Sequence, residues 1–226
     1  MLLEKQDKIR IVLIGLCLLI TQLISAQEKF HKELSMGVNA GAVFSTVRFN
    51  PSVRQSTLNQ IVGGISARFI SESHVGLLSE LNYSQRGWKE YDPDHPEIHY
   101  TRALNYLECP VFTHVYFDMG KHFRVIFNLG PQIGYLLNER QLESNINMED
   151  QDVDSRHILK AQRRFDWGLC FGGGVELRTG IGSFILDGRY YYGLSDVFNN
   201  TRADDYAASS NQVVNVKLTY LFKTKN

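Results

Sequence analysis

Asp92, Asp94, His95, Glu97 and His99 crowd one short stretch of this 226-residue chain. His95 and His99 stand four apart, the spacing at which one helix face offers two imidazoles to a metal ion. Pro93 and Pro96 lie inside the stretch and forbid that helix, so it reads as a solvated loop. The acidic run Met148-Glu149-Asp150-Gln151-Asp152-Val153-Asp154 has the oxygen ligands calcium takes, but lacks the glycine and closing glutamate of an EF-hand loop. Gly172-Gly173-Gly174 would cradle a phosphate only at the start of a helix, and no helical pattern follows it. No GxSxG occurs, and His114 sits in an apolar strand pattern where a packed imidazole is the plainer reading. The expectation is therefore no catalytic, cofactor-binding or metal-binding set, and no cofactor.

The remaining ionic residues follow a different rule. Arg68, Glu80, Arg86, Glu108, Arg124, Asp166, Glu176, Arg178, Asp187, Arg189 and Lys217 lie within runs that alternate apolar and polar, always on the polar parity. From His74 to Trp88, Val75, Leu77, Leu81 and Tyr83 share one rank and Glu80, Asn82, Ser84 and Arg86 the other. Such alternation marks a β-strand with two unlike faces. The polar face carries both signs of charge while the apolar face carries none, so the polar side reads as the interior of a closed barrel and the apolar side as its lipid-facing wall. Acids and bases on a shared, water-poor axis must pair, which makes these eleven residues a structural lumen network.

Eight such runs are found: Leu34 to Phe44, Ile61 to Ile70, His74 to Trp88, Leu104 to Phe117, Phe123 to Tyr135, Phe165 to Arg178, Ser183 to Tyr192 and Gln212 to Phe222. Each has about ten residues, the length of a tilted transmembrane strand. Pro110 removes a ladder donor from the fourth run and predicts a bulge there. The connections alternate long and short along the whole chain, as in outer-membrane barrels with short periplasmic turns and long extracellular loops. Tyr83, Phe123, Tyr135, Phe165, Trp167, Tyr192, Tyr220 and Phe222 fall near run ends on the apolar rank, where an aromatic girdle belongs. The fold class is thus all-β: an eight-stranded antiparallel up-and-down transmembrane β-barrel with a cleaved N-terminal signal peptide, in the outer membrane of a Gram-negative bacterium. Its lipid is the expected partner.

Met1 to Ala26 supply the signal: Lys5, Lys8 and Arg10, then the apolar Ile11 to Ile20, then Ile24-Ser25-Ala26 before a cut at Gln27. Lipoprotein processing at Cys17 fits less well, because Leu16 is bulky and no linker follows. Residues 27–226 form the barrel domain. The signal's removal leaves Cys109 and Cys170, which read as small packing residues; a disulfide is permitted in that compartment but not deducible. With 24 basic and 24 acidic residues the net charge is zero, so bulk charge draws the chain to no nucleic acid.

Gly76-Leu-Leu-Ser-Glu-Leu-Asn-Tyr-Ser-Gln-Arg-Gly-Trp88, followed by Leu104-Asn-Tyr-Leu-Glu-Cys-Pro-Val-Phe112, resembles the PorT family of outer-membrane β-barrel proteins of Bacteroidetes. Gly37-Val-Asn-Ala-Gly-Ala-Val-Phe-Ser45 and Val216-Lys-Leu-Thr-Tyr-Leu-Phe222 are similar to that family as well. Cys109 stands where an aliphatic residue is usual. The resemblance implies an eight-stranded barrel; the namesake serves type IX protein secretion. Four functions compete. The leading one is a non-enzymatic barrel acting structurally or through its extracellular loops, with an envelope or secretion-system protein as candidate partner. The others are a PorT-like accessory of secretion, a barrel binding a small ligand or lipid, and a barrel enzyme acting on lipid or peptide. A ligand-binding lumen should be apolar, against the charged rank seen here.

Overall fold

A computed structural model describes residues 32–91, 99–144, 157, 160–199 and 207–222. The signal segment, the loop carrying Asp92 to Glu97 and the acidic run 148–154 lie outside the described residues. The strands are β1 (Glu33–Asn50), β2 (Gln55–Ser56), β3 (Leu58–Glu72), β4 (Val75–Tyr91), β5 (His99–Met119), β6 (Phe123–Ser144), β7 (Phe165–Arg178), β8 (Gly182–Asp196) and β9 (Ala208–Phe222). β2 is a two-residue strand laid against Lys89 and Glu90 of β4. The eight long strands pair antiparallel in the cyclic order β1-β3-β4-β5-β6-β7-β8-β9, and β9 returns to β1.

Connections at one end are short. Between β3 and β4, His74 takes a positive φ of 73°, and between β5 and β6 Gly120 takes 83°, conformations that let a strand reverse in very few residues. The opposite end carries the long connections. Closure satisfies each strand's backbone on both sides, the condition for crossing a bilayer with strands. Side-chain alternation then sorts the residues: Ile61 is 62% exposed and Leu129 60% on the outer wall, whereas Arg68 is 1% and Glu176 0% exposed inside. Apolar surface outside and charge inside is a stable arrangement only when the outer solvent is hydrocarbon.

Two expectations need correction. The strands run 14 to 22 residues where they are longest-ranged, rather than about ten, because pairing continues above the hydrophobic band. β5 begins at His99 and β6 ends at Ser144, so much of the supposed loop is ladder. Nor does Pro110 sit at a bulge. The β4–β5 ladder skips Cys109 and Pro110 and resumes in the same register, and Pro110 pairs with Gln132 of β6. The shifts fall higher, between Thr101 and Arg102 and between Asn105 and Tyr106, where β6 spends an extra residue each time and changes which rank faces inward.

Candidate functional site: the charged lumen

Ten of the eleven residues singled out by parity are buried inside the ring, and they gather in tiers. The middle tier centres on Glu80. From β8, half the circumference away, Arg189 reaches it with two parallel bonds, Nη1 to Oε2 at 2.9 Å and Nη2 to Oε1 at 3.0 Å. A bidentate guanidinium–carboxylate pair is the strong, oriented form of this interaction. Lys217 of β9 donates to Glu80 as well, as does Asn82 Nδ2 at 2.9 Å. Asn39 Nδ2 donates onward to Ser66 and Asn82, both at 2.9 Å. Arg189 Nε donates to Asp187, and its guanidinium lies 4.7 Å from the Phe112 ring centroid.

Nearer the periplasmic end, Arg68 of β3 places Nη1 2.8 Å from Glu176 Oε2 of β7, again across the ring. Arg124 approaches the same carboxylate at 3.7 Å while its Nε donates to Asp118 at 2.7 Å. The Arg124 guanidinium covers Tyr116 at 4.2 Å. In the tier nearest the extracellular side, Arg86 donates from Nε to Glu108 at 2.7 Å and from Nη1 to Asp166 at 2.7 Å. It is held between the rings of Tyr106 and Tyr191, 5.0 and 4.5 Å from their centroids. Gln132 supports Glu108 at 3.0 Å, and Tyr191 and Ser195 donate to Asp166.

Glycine makes room for these side chains. A Cβ on Gly172 would lie 2.2 Å from Gly188 O and 2.7 Å from Arg189 Cα; on Gly174 it would lie 2.1 Å from Leu186 O and 2.6 Å from Asp187 Cα. The glycine triplet is thus the place where the β7 and β8 backbones press together so that Arg189 and Asp187 can project across the lumen. Arg178 differs from the other ten. It stands at the periplasmic rim, with its side chain 37% exposed, 3.8 Å from Asp118, because it is the last residue of β7 and the wall ends there.

Above the upper tier lies a cluster that alternation did not reveal. Trp88, Tyr100, Leu104, Tyr106, Leu136, Val47, Phe49, Val197 and Phe198 form one buried group. Trp88 meets Phe49 edge-on at 5.5 Å and donates from Nε1 to Glu90 at 2.7 Å. Arg102 sits 5.6 Å from both the Trp88 and Tyr100 rings. His157 closes the group, with Nε2 3.0 Å from Glu90 and its ring 4.4 Å from Tyr100. The usable signal was the continuing inward rank Arg86, Trp88, Glu90, which keeps alternating past the point where a bilayer-length strand should stop. Cys109 and Cys170 are both free, the first half-buried and the second buried. His114 pairs through Nδ1 with Asn128 at 2.8 Å inside the lumen. Among the described residues no group of three His, Cys, Asp or Glu is placed to hold a metal ion.

The lumen's cations and anions are thus turned on one another. The family model for the outer membrane protein beta-barrel domain matches residues 25–199. Among solved structures, the chain is similar to Neisserial surface protein A (11% identity, TM-score 0.48, covering 86% of this chain and 100% of that one). It is also similar to OprG of Pseudomonas aeruginosa (11%, 0.46, 86% and 98%). A third is Ail, the attachment invasion locus protein of Yersinia pestis, in complex with the heparin analogue sucrose octasulfate (12%, 0.41, 84% and 99%). No curated protein matches the chain. The match to the family model takes in most of the ring just described, and the chain belongs to the outer membrane protein beta-barrel domain family, its strands crossing the outer membrane.

Proposed function

We propose that this protein is a non-enzymatic outer-membrane barrel whose lumen is a salt-bridged stopper, acting structurally or through its extracellular end. The observation that carries this is the pair of bridges spanning the full ring, Glu80–Arg189 and Arg68–Glu176. An ion crossing the lumen would have to part both pairs and leave charge unpaired in a water-poor interior. A ligand held in the lumen would face the same cost, which favours the stopper over the small-ligand reading. Purified protein in planar bilayers should therefore show no steady conductance; large, persistent open levels would overturn the proposal.

The PorT-like reading has one observation in its favour. Two of the four segments that carry the resemblance lie in β4 and β5, neighbours in the ring, and Arg86 of the first bonds Glu108 of the second. They thus supply two of the three charges of the upper tier, Asp166 of β7 being the third. If the chain is an accessory of type IX secretion, deleting its gene should abolish export of a defined set of substrates, and normal export in the deletion strain would remove that role. Independently of that role, the basic, apolar and small-residue stretches of Met1 to Ala26 support a cleaved signal. N-terminal sequencing of protein from outer membranes should begin at Gln27.

A further inference from the structure

Closure gives every strand two neighbours, but within the hydrophobic band β5 is bonded to its own less completely than the rest. Pro110 of β5 and Pro131 of β6 have no N–H to give a ladder. The β4–β5 ladder lacks the pairs Glu80–Pro110 and Leu81–Cys109, and the β5–β6 ladder lacks Val111–Pro131 and Phe112–Gly130. Across the same band β6–β7, β7–β8, β8–β9, β9–β1, β1–β3 and β3–β4 run on without a skipped pair. The strands have not parted, since a Cβ on Gly130 would lie 1.9 Å from Val111 O. Rungs are thus missing on both sides of β5 where no water replaces them, and this part of the wall gains most from a protein cover.

The outer surface of this region is unusual too. Midway along the outward ranks of β4 and β5 stand two hydroxyls, Ser79 between Leu77 and Leu81, and Thr113 between Val111 and Val115. Thr113 also lines a groove of 840 Å³, together with Val115, Phe127, Leu129, Phe171 and Gly173. Gly173 keeps the groove deep, because a Cβ there would come within 3.2 Å of Phe127 Cδ1. On the other flank of β5, Leu77 and Leu81 project from the wall, 48% and 44% exposed. Small and hydroxyl-bearing side chains are the ones that let membrane-embedded surfaces approach and bond.

We propose that this face, from β4 to β7, binds a second copy of the chain. Two copies in one membrane share an orientation, so a closed pair has its two-fold axis along the membrane normal. With that axis beside Thr113, what lies on one flank of β5 meets what lies on the other flank in the second copy. The ridge of Leu77 and Leu81 then enters the groove of the partner, and the two Thr113 hydroxyls meet at the axis. Convex walls touch over little area unless one is indented, and the groove supplies the indentation. Four strands ~4.8 Å apart and a band ~25 Å tall give roughly 500 Å² per copy in projection, about 1,000 Å² in all, the threshold of a specific interface. A lipid chain fits the groove but gives the hydroxyls no partner.

Cysteine cross-linking of the full chain in native outer membranes tests the proposal. In a Cys109→Ser background, Thr113→Cys should give a disulfide-linked dimer on oxidation. Val216→Cys, midway along the outward rank of β9 and half a ring away, should stay monomeric. Energy transfer between labelled copies in phosphatidylcholine vesicles gives a second readout. Thr113→Trp fills the groove with an apolar ring that hydrocarbon accepts, and should weaken association about tenfold. Val216→Trp should associate like wild type. Equal cross-linking at the two positions would mark random collision and overturn the proposal. So would a Thr113→Cys product that contains a different protein, wild type that stays monomeric at every protein-to-lipid ratio, or undiminished association of Thr113→Trp. Heat-modifiable migration on gels checks that each variant is folded. If Thr113→Trp fails that check, Leu77→Ala, which lowers the ridge, should lose association several-fold, and no loss would overturn the proposal equally.

Discussion

The barrel interior changes its balance of charge and apolar packing along its axis. Within the hydrophobic band the lumen is mixed: Glu80, Arg189, Arg68, Glu176, Arg86 and Asp166 are buried and paired, beside two apolar clusters that include Val43, Leu78 and Phe112 in one and Ile70, Ile126 and Ile185 in the other. Above it aromatic and aliphatic side chains predominate, with Trp88, Tyr100, Leu104, Phe49 and Phe198 packed around the buried Glu90, Arg102 and His157. The outer wall inverts in step. It presents Leu129, Phe171 and Leu218 in the band, but Asn138, Arg140 and Gln141 above it. The same two-residue alternation serves both regions, and what changes is the solvent. In hydrocarbon, apolar side chains are at home on either side of the wall, whereas charged groups are confined to the lumen and satisfy one another there. In water the ordinary hydrophobic drive returns and the aromatic residues turn in. One strand such as β4 carries both regimes, from Glu80 and Arg86 to Trp88.

This contrast is broken most severely in the ionic half. Glu80→Ala would leave Arg189 and Lys217 without their shared anion in a buried tier. Removing one partner of a buried ion pair costs about 3–5 kcal/mol, and here two cations lose the same partner. Urea unfolding of the barrel in lipid vesicles should show the loss, together with earlier heat-modification on gels. A change under 1 kcal/mol would mean that the tier is wet and its charges are screened.

The aromatic half predicts a loss of similar origin but different reach. Trp88→Ala removes a fully buried indole, a change that costs about 3 kcal/mol or more in a packed core. The loss should be local, since the cap meets the tier below mainly through Tyr106, which keeps its place against Arg86. Proteolysis of the extracellular loops should accelerate while the heat-modifiable shift stays where it was. Simultaneous collapse of both readouts would show that the two interiors are one cooperative unit, and the distinction between them would fail.

How much of this was legible beforehand follows from the same contrast. Within the band, rank alone separates wall from lumen, since Val125 and Phe127 lie on one side of β6 and Arg124 and Asn128 on the other. Which charges meet is another matter. Glu80 and Arg189 are far apart in sequence, and their meeting depends on the stagger of strands half a ring apart, which alternation does not encode. Expecting bilayer-length strands stopped β4 near Trp88 and began the next at Leu104, so the ladder pairing Trp88 with Arg102 and Glu90 with Tyr100 was read as loop. The bulges that reset β6 were equally hidden, because the residue with the strongest local cue, Pro110, fits its ladder without a register shift.

A smaller effect sharpens the description of the lumen wall. Gly172 and Gly188 are close neighbours on β7 and β8, and they face opposite ways. A methyl group on Gly172 would meet Gly188 O and the Arg189 backbone, whereas one on Gly188 meets nothing within 4 Å. Gly172→Ala should destabilise by about 1–3 kcal/mol, the range for overpacking. Gly188→Ala, which adds an apolar group toward lipid, should stay within about 0.5 kcal/mol of wild type. Equal effects from the two would mean that the strands part easily, and the tight approach beside Arg189 would lose its meaning.

The smallest expected effect belongs to Arg178, the one predicted lumen charge that stands at the rim. Its ion pair with Asp118 is long at 3.8 Å, and both side chains are reached by water. Exposed pairs of that kind contribute about 0.2–1 kcal/mol. Arg178→Gln should therefore sit near the lower end of that range, and most of even this loss should vanish at high salt. Arg68→Gln, on the inward rank of β3, strips Glu176 of its shortest cation contact at 2.8 Å and should cost several times more, with little response to salt. Measured side by side in the same vesicles, the two arginines set the boundary between interior and rim. A salt-insensitive loss at Arg178 would move that boundary outward by one residue pair and place the periplasmic mouth of the stopper at Asp118.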